Sequence, residues 1–358
     1  MIGAITRTFS VFLLVSLTAC SSQPGAYHEQ LPVFGTIVDI TLWGVDEQRG
    51  REVVGQLADD FDYMHHAWHP WEQGTLGRVN VLLPTGQAFA AGPSILPLVR
   101  RATELSRQSG GLFNPAIGQL IALWGFASDD PPKGPPPSVE LIRALVDKAP
   151  RMEDVHVEGI KLRSNNPAVR LNFGAFAKGY AVDHAIERLR EFGVHNAIVN
   201  AGGDLRAIGR HGDRPWRIGI RHPREPGIIA SVEVEGDESV FTSGDYERYF
   251  DWQGKRYDHI IDPRSGYPAE GLSSVTVFAH QADLADAAAT ALAVAGPEGW
   301  LPVARAMGVS GVMLVDETGS VHMTPGIRER IHFETETRPE IIISQPLVPV
   351  LEALGQSS

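Results

Sequence analysis

Short runs of alternating apolar and polar residues, broken by glycines, are interleaved with stretches in which apolar residues recur every three to four positions. The first pattern predicts strands and the second helices. Phe34-Gly35-Thr36-Ile37-Val38-Asp39-Ile40-Thr41-Leu42 alternates as a strand starting at a glycine. Val53, Val54, Leu57, Phe61 and Met64 predict a helix over 51–64, and Ile95, Leu98, Val99, Ala102 and Leu105 another over 93–110 that stops at Gly110-Gly111. A short apolar helix over 119–124 and a helix from Ser138 to about Lys148 flank the proline-rich loop 127–137. Residues 155–157 and 160–162 read as a hairpin.

The second half begins with strand, glycine turn and helix: Val169 to Phe173, Gly174, then Ala177 to Phe192 with Ala181, Ala185, Ile186 and Leu189 inward. Strands are predicted at 197–200, 216–220, 231–234, 240–244, 274–278 and 311–315, and an alanine-rich helix over 283–295. In 256–262, Tyr257, His259 and Ile261 alternate with Asp258, Ile260 and Asp262, and Pro263 to Gly266 turns the chain. No repeat at a fixed period is visible. After Phe333 the pattern is mixed and proline-interrupted, so 334–358 is set apart as a C-terminal extension.

Composition narrows the class. At 358 residues, 43% hydrophobic and 21% charged, the chain is globular. A formal net charge of −12 argues against nucleic-acid binding, which needs a concentrated basic face. The single cysteine, Cys20, excludes an intramolecular disulfide. It follows an apolar run, Val11 to Leu17, too short to span a bilayer, and then Thr18-Ala19. That arrangement resembles a bacterial lipoprotein signal: residues 1–19 removed, Cys20 lipidated, and 20–30 a polar tether. Ser21 after the cysteine resembles outer-membrane sorting in Gram-negative bacteria. The expected location is therefore the cell envelope, lipid-anchored and facing the periplasm.

Candidate chemistry lies in a few stretches. Gly174-Ala-Phe-Ala-Lys178-Gly179 opens a helix after a strand, where exposed N–H groups suit a phosphate. It is neither a P-loop nor a Gly-x-Gly-x-x-Gly fingerprint, and taken alone it reads better as a tight strand–helix turn. Asp286 and Thr290, at i and i+4, share a face of the alanine-rich helix. A carboxylate buried there needs a partner, and carboxylate plus hydroxyl oxygens suit Mg²⁺; a helix-start charge explains Asp283 better than Asp286. His65-His66-Ala67-Trp68-His69 lacks an acidic or cysteine ligand at zinc-like spacing and reads as structural or as an aromatic clamp. His259, flanked by Asp258 and Asp262, is a candidate general base.

Five stretches occur together in one order: Leu171-Asn-Phe-Gly-Ala-Phe-Ala-Lys-Gly-Tyr-Ala-Val-Asp183, Asn200-Ala-Gly-Gly-Asp204, Thr242-Ser-Gly-Asp-Tyr246, His259-Ile-Ile-Asp-Pro-Arg-Ser-Gly266, and Ala282-Asp283, Asp286 and Thr290. Together they resemble the ApbE family of flavin transferases over about 31–333. The resemblance implies an α+β fold with two interleaved α/β subdomains, and an enzyme that uses Mg²⁺ and FAD. It further implies transfer of FMN to a threonine hydroxyl of an exported acceptor flavoprotein, with release of AMP. Some relatives instead hydrolyse FAD to FMN and AMP, and a non-catalytic lipid-anchored flavin carrier is the other alternative. Carried over residue by residue, the match puts Mg²⁺ on Asp286, Thr290 and the carbonyl of Ala175. It puts the flavin nucleotide against Asn172, Lys178 and Ile260, with Phe34 where the family has Met, and with Trp71 or Trp68 as the covering aromatic. His259 would take the acceptor's proton, steered by Asp262 or Asp258. Asn172 stands where many members have Asp.

Overall fold

A computed structural model describes residues 25–70, 74–128, 130, 132–335 and 338–347. Trp71 and Cys20 lie outside the described residues, as does the proposed signal segment. Nine strands make the central sheet: Ala26–Val33, Thr36–Trp43, Ala197–Ala201, Asp204–Gly209, Gly236–Gly244, Leu272–Ala279, Gly311–Asp316, Val321–Met323 and Ile341–Ile343. Their order across the sheet is their order along the chain. Neighbours are antiparallel except the last pair, which is parallel. A sheet ordered this way places its helices and ribbons in the connections, which is where the chemistry-bearing stretches fall.

Strand alternation sorts side chains between two layers. Phe241, Val277 and Val312 join the core under the helices Glu47–Trp68, Ala177–Glu191 and Ala282–Met307. Their neighbours Val240, Phe278 and Met313 face a second core against a small sheet formed by Trp216–Arg221, Ile228–Val234 and Ile331–Phe333. With both faces covered, every residue of Leu272–Ala279 is buried. The mixed layers are α+β, as expected.

The predicted helices fall close to their places, with differences that have local causes, whereas the helices Thr75–Leu82 and Pro325–Arg330 were not expected. The first helix extends to Glu47–Trp68, started by Asp46, whose carboxylate accepts the Arg49 N–H at 2.9 Å. The alanine-rich helix begins at Ala282 and is interrupted at Gly296 (φ 73°, ψ 178°) just before Pro297. Helical backbone then resumes to Met307. The interruption falls at the predicted end because proline disfavours helical backbone in the residue before it.

Four segments differ more. Ala26–Val33 is a full strand, so order starts inside the segment expected as tether. Phe34 and Gly35 form the hairpin turn that follows it, both at positive φ (57° and 68°), and the next strand starts at Thr36. Residues 169–173 are not a strand. Their backbone N–H groups go to a loop and a side chain: Arg170 to the Ala116 carbonyl, Asn172 to the Pro115 carbonyl, and Leu171 to Asn80 Oδ1. The extension past Phe333 contributes Ile341–Ile343 to the sheet beside Val321–Met323. Among the described residues no helix is long and apolar enough to cross a membrane.

Candidate functional site

One cavity of about 700 Å³ opens between the helices and the sheet connections, within the ~300–1,000 Å³ usual for small-molecule sites. It is lined by residues from widely separated stretches, including Asn172, Ala175, Lys178, His259, Asp286 and Thr290. Phe34, Trp68 and Ile260 also border it, whereas Asp262 and Asp258 do not. The residues assigned to cation, nucleotide and proton acceptor thus share one space.

Close backbone approach builds the cation side. A Cβ placed on Gly179 would sit 2.3 Å from the Ala282 carbonyl oxygen, so only glycine lets the helices Ala177–Glu191 and Ala282–Met307 meet there. At that contact Asp286 Oδ2 accepts the Gly179 N–H at 2.9 Å. Asp286 is 6% exposed. Burial pushes its carboxyl up to about 7, with Lys178 opposing and Asp204 reinforcing the shift. Lys178 pairs with Asp204, whose other oxygen accepts the Thr242 N–H at 2.9 Å. Burial alone would lower the lysine; Asp204, Asp286 and Glu247 outweigh it and hold the ammonium charged.

Asn172 has a local task as well as a place in the lining. Its Oδ1 accepts the Gly174 N–H at 2.9 Å and fixes the turn that carries Ala175. Phe34 packs edge-on to Phe61 and His65, at 5.5 and 6.0 Å between ring centres. Trp68 stands edge-on to Tyr180 at 5.7 Å, and its buried Nε1 has no hydrogen-bond partner among the described residues. His65 and His69 meet edge-on at 5.7 Å between ring centres, and among the described residues no three His, Cys, Asp or Glu side chains form a metal-ligand group.

The proton-acceptor side is built otherwise. Lys255–Asp258 is a strand paired with Tyr249–Trp252, but the ladder stops at Asp258, and His259 lies in the loop beyond. The His259 Nδ1 is buried without a hydrogen-bond partner among the described residues. Burial, then Arg248 and Lys178, push the imidazole down to about 4, so it is neutral at pH 7. Neither flanking carboxylate steers it. Asp258 accepts the Ile260 N–H at 2.8 Å, and burial raises its carboxyl to about 7. Asp262 holds Arg264 with both oxygens, and Arg264 Nη2 donates to the Val294 carbonyl at 2.9 Å. The expected pairing with Asp262 fails because the chain turns between residues 258 and 262, sending that carboxylate toward the end of the alanine-rich helix.

Among the cavity residues that sequence reasoning overlooked, Glu247 and Arg248 carry charge. Arg248 donates to the Phe126 and Ser128 carbonyls, bracing that loop, and its own carbonyl accepts the His259 N–H at 3.1 Å. Both directly follow Thr242–Tyr246, and their position after a glycine-bearing strand end was the available signal.

Comparison with known proteins gives the same grouping. A FAD:protein FMN transferase of Rhodobacter capsulatus is 42% identical over 303 residues, 85% of this chain and 58% of that longer protein. The chain therefore spans under two thirds of that relative. A Vibrio cholerae FAD:protein FMN transferase is 34% identical over 84% of this chain and 91% of its own length. Among solved structures, the Thermotoga maritima ApbE protein superposes with a TM-score of 0.77 at 30% identity, covering 87% of this chain and all of that one. The apo flavinyl transferase ApbE of Pseudomonas stutzeri gives 0.75 at 30% identity, over 88% and 99%. Residues 34–313 match the ApbE family as a whole, and the chain belongs to that family.

Proposed function

We infer that this protein is a transferase that moves the FMN part of FAD onto a threonine hydroxyl of an exported acceptor protein and releases AMP. The observation that carries the reading is the single cavity in which Lys178, Asp286, Thr290 and His259 meet. The relatives' shared name, FAD:protein FMN transferase, supports the flavin substrate and the protein acceptor.

The donor set fits a hard cation. Asp286 is a buried carboxylate raised by its burial, Thr290 lies one turn further along the same face, and the Ala175 turn borders the same cavity. Those three residues would hold Mg²⁺. When bound, Mg²⁺ supplies positive charge to the diphosphate oxygens as the bond to AMP breaks. Lys178 adds a fixed ammonium to the same region. His259, neutral at pH 7, accepts the threonine proton as the oxygen bonds to the FMN phosphorus, and AMP departs with the electrons of the broken P–O bond. An anionic diphosphate nearby offsets Arg248 and Lys178 and makes the imidazole more basic.

Lipidation at Cys20 and a place in the bacterial envelope complete the proposal, on the Leu17-Thr-Ala-Cys20 pattern. Intact mass of membrane-extracted protein tests that part; a product cleaved elsewhere refutes it. For the reaction, enzyme, FAD, Mg²⁺ and a threonine-bearing candidate acceptor are mixed, denatured and separated, with AMP measured in parallel. A fluorescent acceptor band that survives SDS, with AMP equal to label, is expected. AMP without a band means FAD pyrophosphatase, and neither means a carrier.

A further inference from the structure

We propose that Asp183 is a positioning residue for the cation site: by capping the alanine-rich helix from a neighbouring helix, it fixes Asp286 and Thr290 against the 174–179 turn. The inference rests on the proposed Mg²⁺ role of those two side chains. The start of any helix leaves N–H groups without intrahelical partners. Here the residue at the cap position, Gln281, makes no side-chain cap bond. Asp283, the acidic residue of the first turn, is turned away into a two-bond pair with Arg101 at 2.7 and 2.9 Å. The cap comes from Asp183 instead. Its Oδ1 accepts the Ala282 N–H at 2.8 Å and its Oδ2 the Asp283 N–H at 2.9 Å.

Asp183 is itself held. Arg206, on the central strand Asp204–Gly209, donates to Asp183 Oδ1 at 2.6 Å and grips Asp237 at 2.8 and 2.9 Å. The Arg206 side chain is only 3% exposed. Burying such charges costs desolvation, and apolar packing would serve stability about as well; what directed bonds add is a fixed orientation. That orientation reaches the cavity by a short route. Gly179 and Asp183 are one turn apart on one helix, and they contact Asp286 and the 282–283 backbone on the other. Two levels of bonding therefore set the height and rotation of the helix that carries Asp286 and Thr290. Asp183 does not border the cavity, so its effect passes through those residues.

The test is Asp183→Asn, which keeps the shape but loses the charge and one accepting oxygen. Two quantities are read: the Mg²⁺ concentration giving half-maximal acceptor labelling at saturating FAD, and the Mg²⁺-induced rise in Tm without flavin. Loss of a group that orients metal ligands commonly weakens metal affinity about 10–100-fold, so both midpoints should move up on that scale while the rate at saturating Mg²⁺ stays within about threefold. Asp237→Asn is the comparison, because it loosens Arg206 but leaves both cap bonds; it should lower Tm with the Mg²⁺ midpoints in place. A lower Tm for Asp183→Asn with unchanged Mg²⁺ midpoints overturns the proposal and leaves a plain helix cap. If Asp183→Asn does not fold, Asp183→Glu, which keeps the charge but displaces both accepting oxygens, is read the same way, and unmoved midpoints overturn it equally. A wild-type protein with no Mg²⁺-linked rise in Tm and no Mg²⁺ requirement removes the cation reading itself, a result distinct from unmoved midpoints.

Discussion

The two sides of the cavity are bonded to opposite degrees. On the cation side three charges are held by named partners: Asp286 by the Gly179 N–H, Lys178 by Asp204, and Asp204 by the Thr242 N–H. On the other side the His259 ring has a buried Nδ1 with no partner among the described residues, and its backbone, not its side chain, is anchored by Arg248. The contrast fits a division of labour. Groups that stabilise charge must be in place before the reaction, because reorienting them during it would cost the energy they supply. A group proposed to move a proton, as His259 is, needs reach and a neutral starting state, and burial supplies the latter.

The comparison breaks first at Asp286. Asp286→Ala removes the only cavity carboxylate bonded to the helix contact at Gly179. Labelling is expected to fall below about one hundredth of wild type, the scale of losing one preorganised charge-stabilising group. Circular dichroism should show the fold retained. Activity near wild type at millimolar Mg²⁺ would reduce Asp286 to a structural charge. Next in size is His259→Ala, with a rate loss of about 10²–10⁴-fold at unchanged FAD binding. A parallel loss of FAD affinity would place His259 among the binding residues instead.

Much of this arrangement was readable from the chain. Period-2 and period-3.6 patterns located most of the strands and helices, and the alanine-rich helix was expected to end at Ala295, next to the break at Gly296. Asp286, Thr290 and His259 stood out because their residue types conflict with packing, Lys178 came from the family resemblance, and the cavity gathers all four. The errors share a cause. Residues 169–173 alternate like a strand, but their hydrogen bonds go to a loop and to Asn80, which no local pattern encodes. Asp262 was assigned to His259 from proximity in sequence, whereas the turn sends it to Arg264. Asp183 and Arg206 act across helices and sheet, so their partners emerge only once the chain is folded.

Asp262 separates the two expectations directly. Steering the base would make Asp262→Asn nearly as damaging as His259→Ala. The observed clamp on Arg264, whose side chain is 60% exposed, predicts a loss of only about 0.2–1 kcal/mol in stability and a rate close to wild type. Parallel urea unfolding and labelling rates decide between them, and a rate loss beyond about tenfold restores the steering role.

The smallest effect concerns the environment of His259 itself. Its imidazole titrates at about 4 in the folded chain against 6.5 as the ordinary value, chiefly through burial. Between those two values the unfolded chain binds the proton and the folded chain does not. Folding is therefore favoured by the neutral ring above about 6.5, and that contribution is lost as the pH falls toward 4. Asp258 works in the opposite sense, since its carboxyl is raised to about 7 by burial and its stabilisation fades as the pH rises. Asp286 and Glu247, also raised to about 7 by burial, act in the same sense as Asp258, so the wild-type curve mixes all of these, but a difference between wild type and His259→Ala isolates the histidine. Tm measured from pH 7 to pH 4.5 should show the wild type losing ground to the variant on acidification. A difference that stays flat across this window would mean that the ring is solvated and titrates near its ordinary value, and the contrast between a bonded and an unbonded side of the cavity would then lose its electrostatic half.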